Sequence, residues 1–191
     1  MARVRKNVLL EGLAGMVGGQ LVFKRDKAGR TIVTNRPHFD EDRKFSASQL
    51  TQQARFREAM AYAKEASQTQ AVYAEKAAGT SKTAYNVAVA DWFHMPEVGE
   101  IDLSGYTGAA GEVIRARVTD DVAVAQVTIV IATSAGEVVE QGRMNHEQGV
   151  WYAYTTTAGC PAGPARVMVT GLDLPGHAGR GEAMLMAAEV G

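Results

Sequence analysis

At Pro96 the texture of the chain changes, and this change most restricts what the chain can fold into. Before it the sequence runs through a glycine-punctuated opening, two short β-prone runs and long Ala-rich stretches. After it come short segments rich in Val, Ile and Thr, separated by glycines. Apolar residues recur at helical spacing in the first part and alternate in the second, so helices and strands are segregated along the chain rather than interleaved. The expected class is α+β. Residues 1–96 should form an N-terminal β-hairpin and helical module, and residues 97–191 an all-β domain.

In the first module, Gln20–Arg25 and Arg30–Asn35 flank Asp26-Lys27-Ala28-Gly29. Asp at the first and Gly at the last position of a four-residue turn between β-prone runs predicts a hairpin. Ser46-Ala47-Ser48-Gln49 has the spacing of a capping box, with Phe45 and Leu50 placed as a hydrophobic staple, so a helix should start at Ala47. Phe56, Ala59, Met60 and Ala63 give that helix one apolar face, and the pattern continues, with a break near Ser67–Thr69, until Gly79. A further helix is expected over Lys82–His94, with Tyr85, Ala88, Val89 and Trp92 on its inner stripe and Pro96 closing it.

Beyond Pro96 seven strands are expected, near 101–106, 112–119, 123–133, 137–144, 150–157, 165–172 and 180–187. Seven short strands with turn signals at this spacing predict an immunoglobulin-like sandwich. Val127, Ile129 and Ile131 should face its core, Thr128 and Val130 the other way, and Trp151 should fill the space between the sheets.

No local pattern points to a reaction. Gly12, Gly15, Gly18 and Gly19 precede a strand rather than a Gly-Lys-Ser/Thr ending and a helix, so they are no phosphate loop. They mark close backbone approach or positive φ. Cys160 is the single cysteine, which excludes an internal disulfide and a multi-cysteine zinc site. His38, His94, His146 and His177 are scattered without metal-ligand spacing. Asp120-Asp121 has the chemistry to help hold calcium, but carboxylates at such a place more commonly start a strand from a turn. The serines and threonines lie in no nucleophile elbow. The expectation is a non-enzyme with no catalytic residue, no cofactor, no metal and no small-molecule substrate.

The opening apolar run, Val8-Leu9-Leu10, stops after three residues, well short of the roughly 7–15 of a secretory signal. No stretch reaches the roughly 20 apolar residues of a membrane span. A cytoplasmic protein is the default expectation, with an extracellular place only by non-classical release. Charge is unevenly spread: residues 1–100 carry 15 Lys/Arg against 11 Asp/Glu (+4), and residues 101–191 carry 5 against 10 (−5). Opposite charge between halves favours contact of one molecule's head with another's tail.

Two resemblances add to this reading. Asp120-Asp121-Val122-Ala123-Val124-Ala125-Gln126-Val127, Gly149-Val150-Trp151-Tyr152-Ala153-Tyr154 and Val167–His177, with Gly171-Leu172-Asp173-Leu174-Pro175-Gly176-His177, resemble bacterial immunoglobulin-like domains of surface and multidomain proteins. In those domains the late strand commonly ends in Asp-x-x-Gly-Asn, where this chain has His177. The opening is similar to uncharacterised bacterial proteins with a basic start, here Lys6, a Gly-x-x-Gly-x-x-Gly segment, here Gly12–Gly18, and a Thr-Ala-Tyr/Phe-Asn helix, here Thr83–Asn86. That resemblance implies a recurring module and no activity.

The function expected is a structural subunit that self-assembles, as filament, tube or particle, through its N-terminal segment and sandwich edges. The interface residues expected are Arg3, Arg5, Lys6, Val8, Leu9, Leu10, Gly12, Gly15 and Gly18, with residues 3–10 pairing on a neighbour. The alternative is an immunoglobulin-like binding module for a glycan or protein. Nucleic-acid binding through Arg3, Arg5, Lys6, Lys24, Arg25, Lys27 and Arg30 ranks below both, because aromatic content is low and no RNA-binding signature is present.

Overall fold

The computed structural model describes residues 2–3, 10, 12–26, 28–38, 44–160 and 164–185. The expected interface residues Arg5, Lys6, Val8 and Leu9 lie outside these. The described chain is α+β, with N-terminal strands, three helices and two antiparallel sheets that form a β-sandwich. It divides into two compact units: unit 1 comprises residues 1–57 and 79–83, unit 2 residues 58–78 and 84–191. This differs from the division expected at Pro96, because the helices that precede Pro96 share a core with loops of the sandwich.

Unit 1 holds a four-stranded antiparallel sheet of β1 (Ala2–Arg3), β2 (Gly15–Val17), β3 (Leu21–Arg25) and β4 (Thr31–Asn35), in the order β1-β4-β3-β2. The β3–β4 hairpin closes at the expected turn, where Gly29 N–H donates to the Asp26 carbonyl (3.0 Å) and Arg30 N–H to Asp26 Oδ1 (2.8 Å). The Arg30 N–H, with the Arg30 guanidinium and the Ala28 N–H, holds the Asp26 carboxyl below its usual range. The unit also contains the start of α1 (Ala47–Thr69), opened by the capping box: Ser46 N–H donates to Gln49 Oε1 (2.9 Å), and Gln49 N–H to Ser46 Oγ (3.3 Å).

Unit 2 contains the rest of α1, α2 (Ala71–Ala77) and α3 (Ala84–Phe93). Gln70 separates the first two, and Gly79 stops the second at a φ of +72°. The inner face of α1 is Ala59, Ala63 and Ala66, whereas Phe56 and Met60, expected on that face, are exposed. Small side chains allow close packing: Ala63, Ala66, Tyr73, Val87 and Ala88 form one core with Val122 and Leu174 from the sandwich loops.

The sandwich consists of β5 (Glu97–Asp102), β6 (Val113–Thr119), β7 (Val124–Thr133), β8 (Val138–Arg143), β9 (Asn145–Gln148), β10 (Trp151–Thr155), β11 (Ala165–Asp173) and β12 (Ala178–Leu185). One sheet runs β5-β6-β10-β9, the other β12-β11-β7-β8. Eight strands stand where seven were expected, because the run 138–148 leaves one sheet and joins the other at Met144, which is buried and donates its N–H to Val127 (2.9 Å). The core is Ile114, Ala116 and Val118 from one sheet against Val127, Ile129, Ile131, Val167 and Val169 from the other. Trp151 is a correction. It is only half-buried, and the β10 side chains that reach the core are Tyr152 and Tyr154, because alternation places Trp151 on the opposite face.

Along one side the two sheets approach very closely. A Cβ built on Gly179 would lie 1.7 Å from the Pro96 carbonyl oxygen, and one on Gly181 2.5 Å from Val98. Only glycine lets β12 come this near to β5. On the other side β9 ends its sheet, with all four residues exposed.

Candidate interaction surface

Within unit 1 the strand β2 ends the sheet and, among the described residues, presents an unpaired edge. Its hydrophobic residues are exposed: Met16 at 56% and Val17 at 52%, with Leu13 and Leu21 beside them also exposed. Gly15 begins β2 and Gly18-Gly19 turn the chain into β3, where Gln20 N–H meets the Val17 carbonyl. Gly12, Gly15, Gly18 and Gly19 all have positive φ, and a Cβ on any of them would meet open space. Of the two roles open to these glycines, backbone conformation applies and close approach does not. Paired positive-φ residues are what a tight hairpin turn of the right twist requires.

Of the expected interface residues, Gly12, Gly15 and Gly18 therefore frame an exposed apolar edge, and Leu10 is half-buried. Arg3 stands in β1 opposite Ile32, so the first residue of the segment expected to pair on a neighbour pairs here within its own chain. Met16 and Val17 were not singled out from sequence. As consecutive residues they point to opposite faces of β2, so no alternation marked them, and only the structure shows that both are exposed.

Unit 1 has little interior to support this surface. Among its described residues only Phe23 and Thr31 are buried. A sheet with so small a core is marginal by itself.

Unit 2 contains a buried polar group that sequence reading missed. Asp91, on α3, is 1% exposed. Its Oδ2 accepts from Tyr73 Oη at 2.6 Å, and Tyr73 Oη is 2.6 Å from Tyr62 Oη. Asp91 Oδ1, Gln70 Oε1 and Asp120 Oδ1 are buried without a hydrogen-bond partner among the described residues. Burial, and then the carboxylates of Asp120, Asp173 and Asp121, push the Asp91 carboxyl up to about 6, against the opposing pull of the Tyr73 hydroxyl. Burial also raises the Tyr73 phenol.

Of the residues weighed for metal chemistry, Asp120, Asp121, His94, His146 and His177 have structural partners. Asp120 Oδ2 accepts from the N–H groups of Val122 and Ala123, both at 3.0 Å, which is the strand-starting role expected of it. Asp121 pairs with His94 at 2.8 Å. His177 donates its N–H to Asp173 Oδ1 and sets its ring edge-on to Trp92, and His146 contacts the Gly149 carbonyl at 2.9 Å. Among the described residues no group of three His, Cys, Asp or Glu has metal-binding geometry. No described helix is long and apolar enough to cross a membrane.

The fold thus defines an α+β protein with a C-terminal β-sandwich and an exposed N-terminal sheet edge. No protein-family model matches the sequence, and no curated protein does. Three solved structures are similar in part. CopC from Methylosinus trichosporium OB3b matches over 49% of this chain and 92% of its own, at 18% identity and a TM-score of 0.37. An engineered protein matches over 55% of this chain and 27% of its own, at 20% identity and 0.39. A tetra-tandem repeat in the extending region of a large adhesion protein matches over 48% and 23%, at 25% identity and 0.35. Likeness at this level assigns no function to the chain.

Proposed function

We propose that the chain is a non-enzymatic structural subunit that assembles with copies of itself, through its N-terminal segment, the β2 edge and the open sandwich edge at β9. In this reading the sandwich is of the immunoglobulin-like kind that its sequence resembles. The observation that carries the proposal is the mismatch in unit 1, where Met16, Val17, Leu13 and Leu21 are exposed while, among the described residues, only Phe23 and Thr31 are buried. An unpaired edge flanked by apolar side chains is a template for another chain, and covering it removes the apolar area from water.

The test combines light scattering with negative-stain microscopy of the purified protein over a range of concentrations. Ordered polymers or closed particles are the expected result. A chain lacking residues 1–10 should remain folded by circular dichroism and lose its assembly. A full-length protein that stays monomeric at every concentration overturns the proposal, and a selective signal for that monomer on a glycan or protein array would identify a binding module instead.

A further inference from the structure

We infer that copies meet through unlike units, with the basic unit 1 of one molecule against the acidic unit 2 of another. This rests on the assembly reading above. The two compact units divide the charge far more sharply than the two halves of the sequence do. Residues 1–57 and 79–83 carry 13 Lys/Arg against 5 Asp/Glu, which is +8; residues 58–78 and 84–191 carry 7 against 16, which is −9. The gain over the sequence halves arises because Glu58, Glu65, Glu75, Asp91, Glu97 and Glu100 all belong to unit 2.

Several of these charged side chains lie exposed among the described residues. On unit 1, Lys24 and Arg25 of β3, next to the β2 edge, are exposed, as are Arg36 and Lys44. On unit 2, Glu65 and Glu75 of the helices and Glu97 and Glu100 of β5 are exposed. The ion pairs Arg30–Asp26 in unit 1, and His94–Asp121, Arg115–Glu147, Arg166–Glu182 and His177–Asp173 in unit 2, use other side chains than these eight. A contact of like units would bring +8 against +8 or −9 against −9, within the roughly 10 Å over which charges are felt at 0.1 M salt. Contact of unlike units is attractive and brings the apolar β2 edge to a surface of opposite charge. Such pairing is satisfied by a reciprocal two-fold dimer, in which each unit 1 faces the other molecule's unit 2, and by a head-to-tail ring or filament.

Charge exchange in the full-length chain tests the inference. One variant carries Lys24→Glu, Arg25→Glu, Arg36→Glu and Lys44→Glu; a second carries Glu65→Lys, Glu75→Lys, Glu97→Lys and Glu100→Lys; a third carries all eight. Assembly is read by sedimentation at 50 mM salt, and folding by circular dichroism. The first variant takes unit 1 from +8 to 0 and the second takes unit 2 from −9 to −1, so each removes the attraction between unlike units and should assemble at least about tenfold more weakly than the parent; the eightfold variant, with both units nearly neutral, should assemble no better than either. The inference is overturned if the eightfold variant assembles as well as the parent, or if neither single-unit variant differs from it. Should any variant fail to fold, the salt dependence of the unaltered protein decides. Assembly should weaken about tenfold or more between 50 mM and 500 mM salt, and assembly that is unchanged or strengthened overturns the inference. A parent that never assembles would instead overturn the assembly reading itself.

Discussion

The Tyr73 hydroxyl donates a 2.6 Å hydrogen bond to Asp91 Oδ2, joining α2 to α3 around a carboxyl group that is almost entirely enclosed. Tyr62 extends the chain from α1, so one hydroxyl–hydroxyl–carboxyl series ties the three helices together. The other Asp91 oxygen has no partner among the described residues, which makes the protonated carboxyl the better guest.

The stability of the protein should therefore depend on pH in a defined direction. Folding raises the Asp91 carboxyl from 3.8 to about 6, so between these values the folded chain binds more protons than the unfolded one. Stability then falls as pH rises through this range, by up to about 3 kcal/mol for this group. Glu140 acts in the opposite sense. Its carboxyl is held below 4.5, so its contribution is present above that pH and is lost as pH falls through its folded value. Thermal melts should show stability falling as pH rises from about 4.5 to 6, and Asp91→Asn should flatten that fall. A fall of the same size in the Asn variant would show that other groups cause it.

Glu140 is a second buried carboxylate, but a fully supplied one. It accepts from Tyr154 Oη at 2.7 Å, from Thr157 N–H at 2.7 Å and Oγ1 at 2.6 Å, and from Ala158 N–H at 3.2 Å. Glu140→Ala should cost about 3 kcal/mol in urea unfolding, because it strands several donors at once. Tyr154→Phe removes one of them and should cost about 1 kcal/mol.

Two glycines should respond differently to alanine. At Gly179 a Cβ would strike the Pro96 carbonyl, so Gly179→Ala forces β12 and β5 apart and should cost about 3 kcal/mol or more. At Gly18 the space is open and only the φ of +61° resists, so Gly18→Ala should cost about 1–2 kcal/mol. Equal losses in urea denaturation would contradict this distinction.

Replacing Met16 and Val17 together by Ser should leave the melting temperature within a few degrees, since both side chains are exposed. Assembly should weaken by about tenfold as the apolar edge is lost, without a change in its salt dependence. Light scattering across a concentration series reads this directly, and undiminished assembly would remove β2 from the contact.

Features set by neighbours in sequence were legible in advance. The Ser46–Gln49 box, the Asp26–Gly29 turn and the inward row Val127, Ile129 and Ile131 each depend on a few consecutive residues. The face of α1 was not legible, because hydropathy favours Phe56 and Met60, whereas the core shared with Tyr73 and Val87 accommodates Ala63 and Ala66, with Ala59 buried on the same face. Nor was the role of Asp91, a charged residue on a helix whose burial depends on Tyr73, eighteen positions away. The candidate surface was legible in part: Gly12, Gly15 and Gly18 marked the place, and the sheet order identified Met16 and Val17 as its exposed edge.

By itself the sequence determined the class, the local elements and the change of periodicity at Pro96, because helix caps, turns and strand alternation are short-range physics. Only the tertiary structure decided that the helices before Pro96 join the sandwich after it. That grouping comes from packing between residues distant in the chain, such as Ala63 and Val122 within one core. It also assigned the acidic side chains of those helices to unit 2, turning a modest charge difference between halves into +8 against −9.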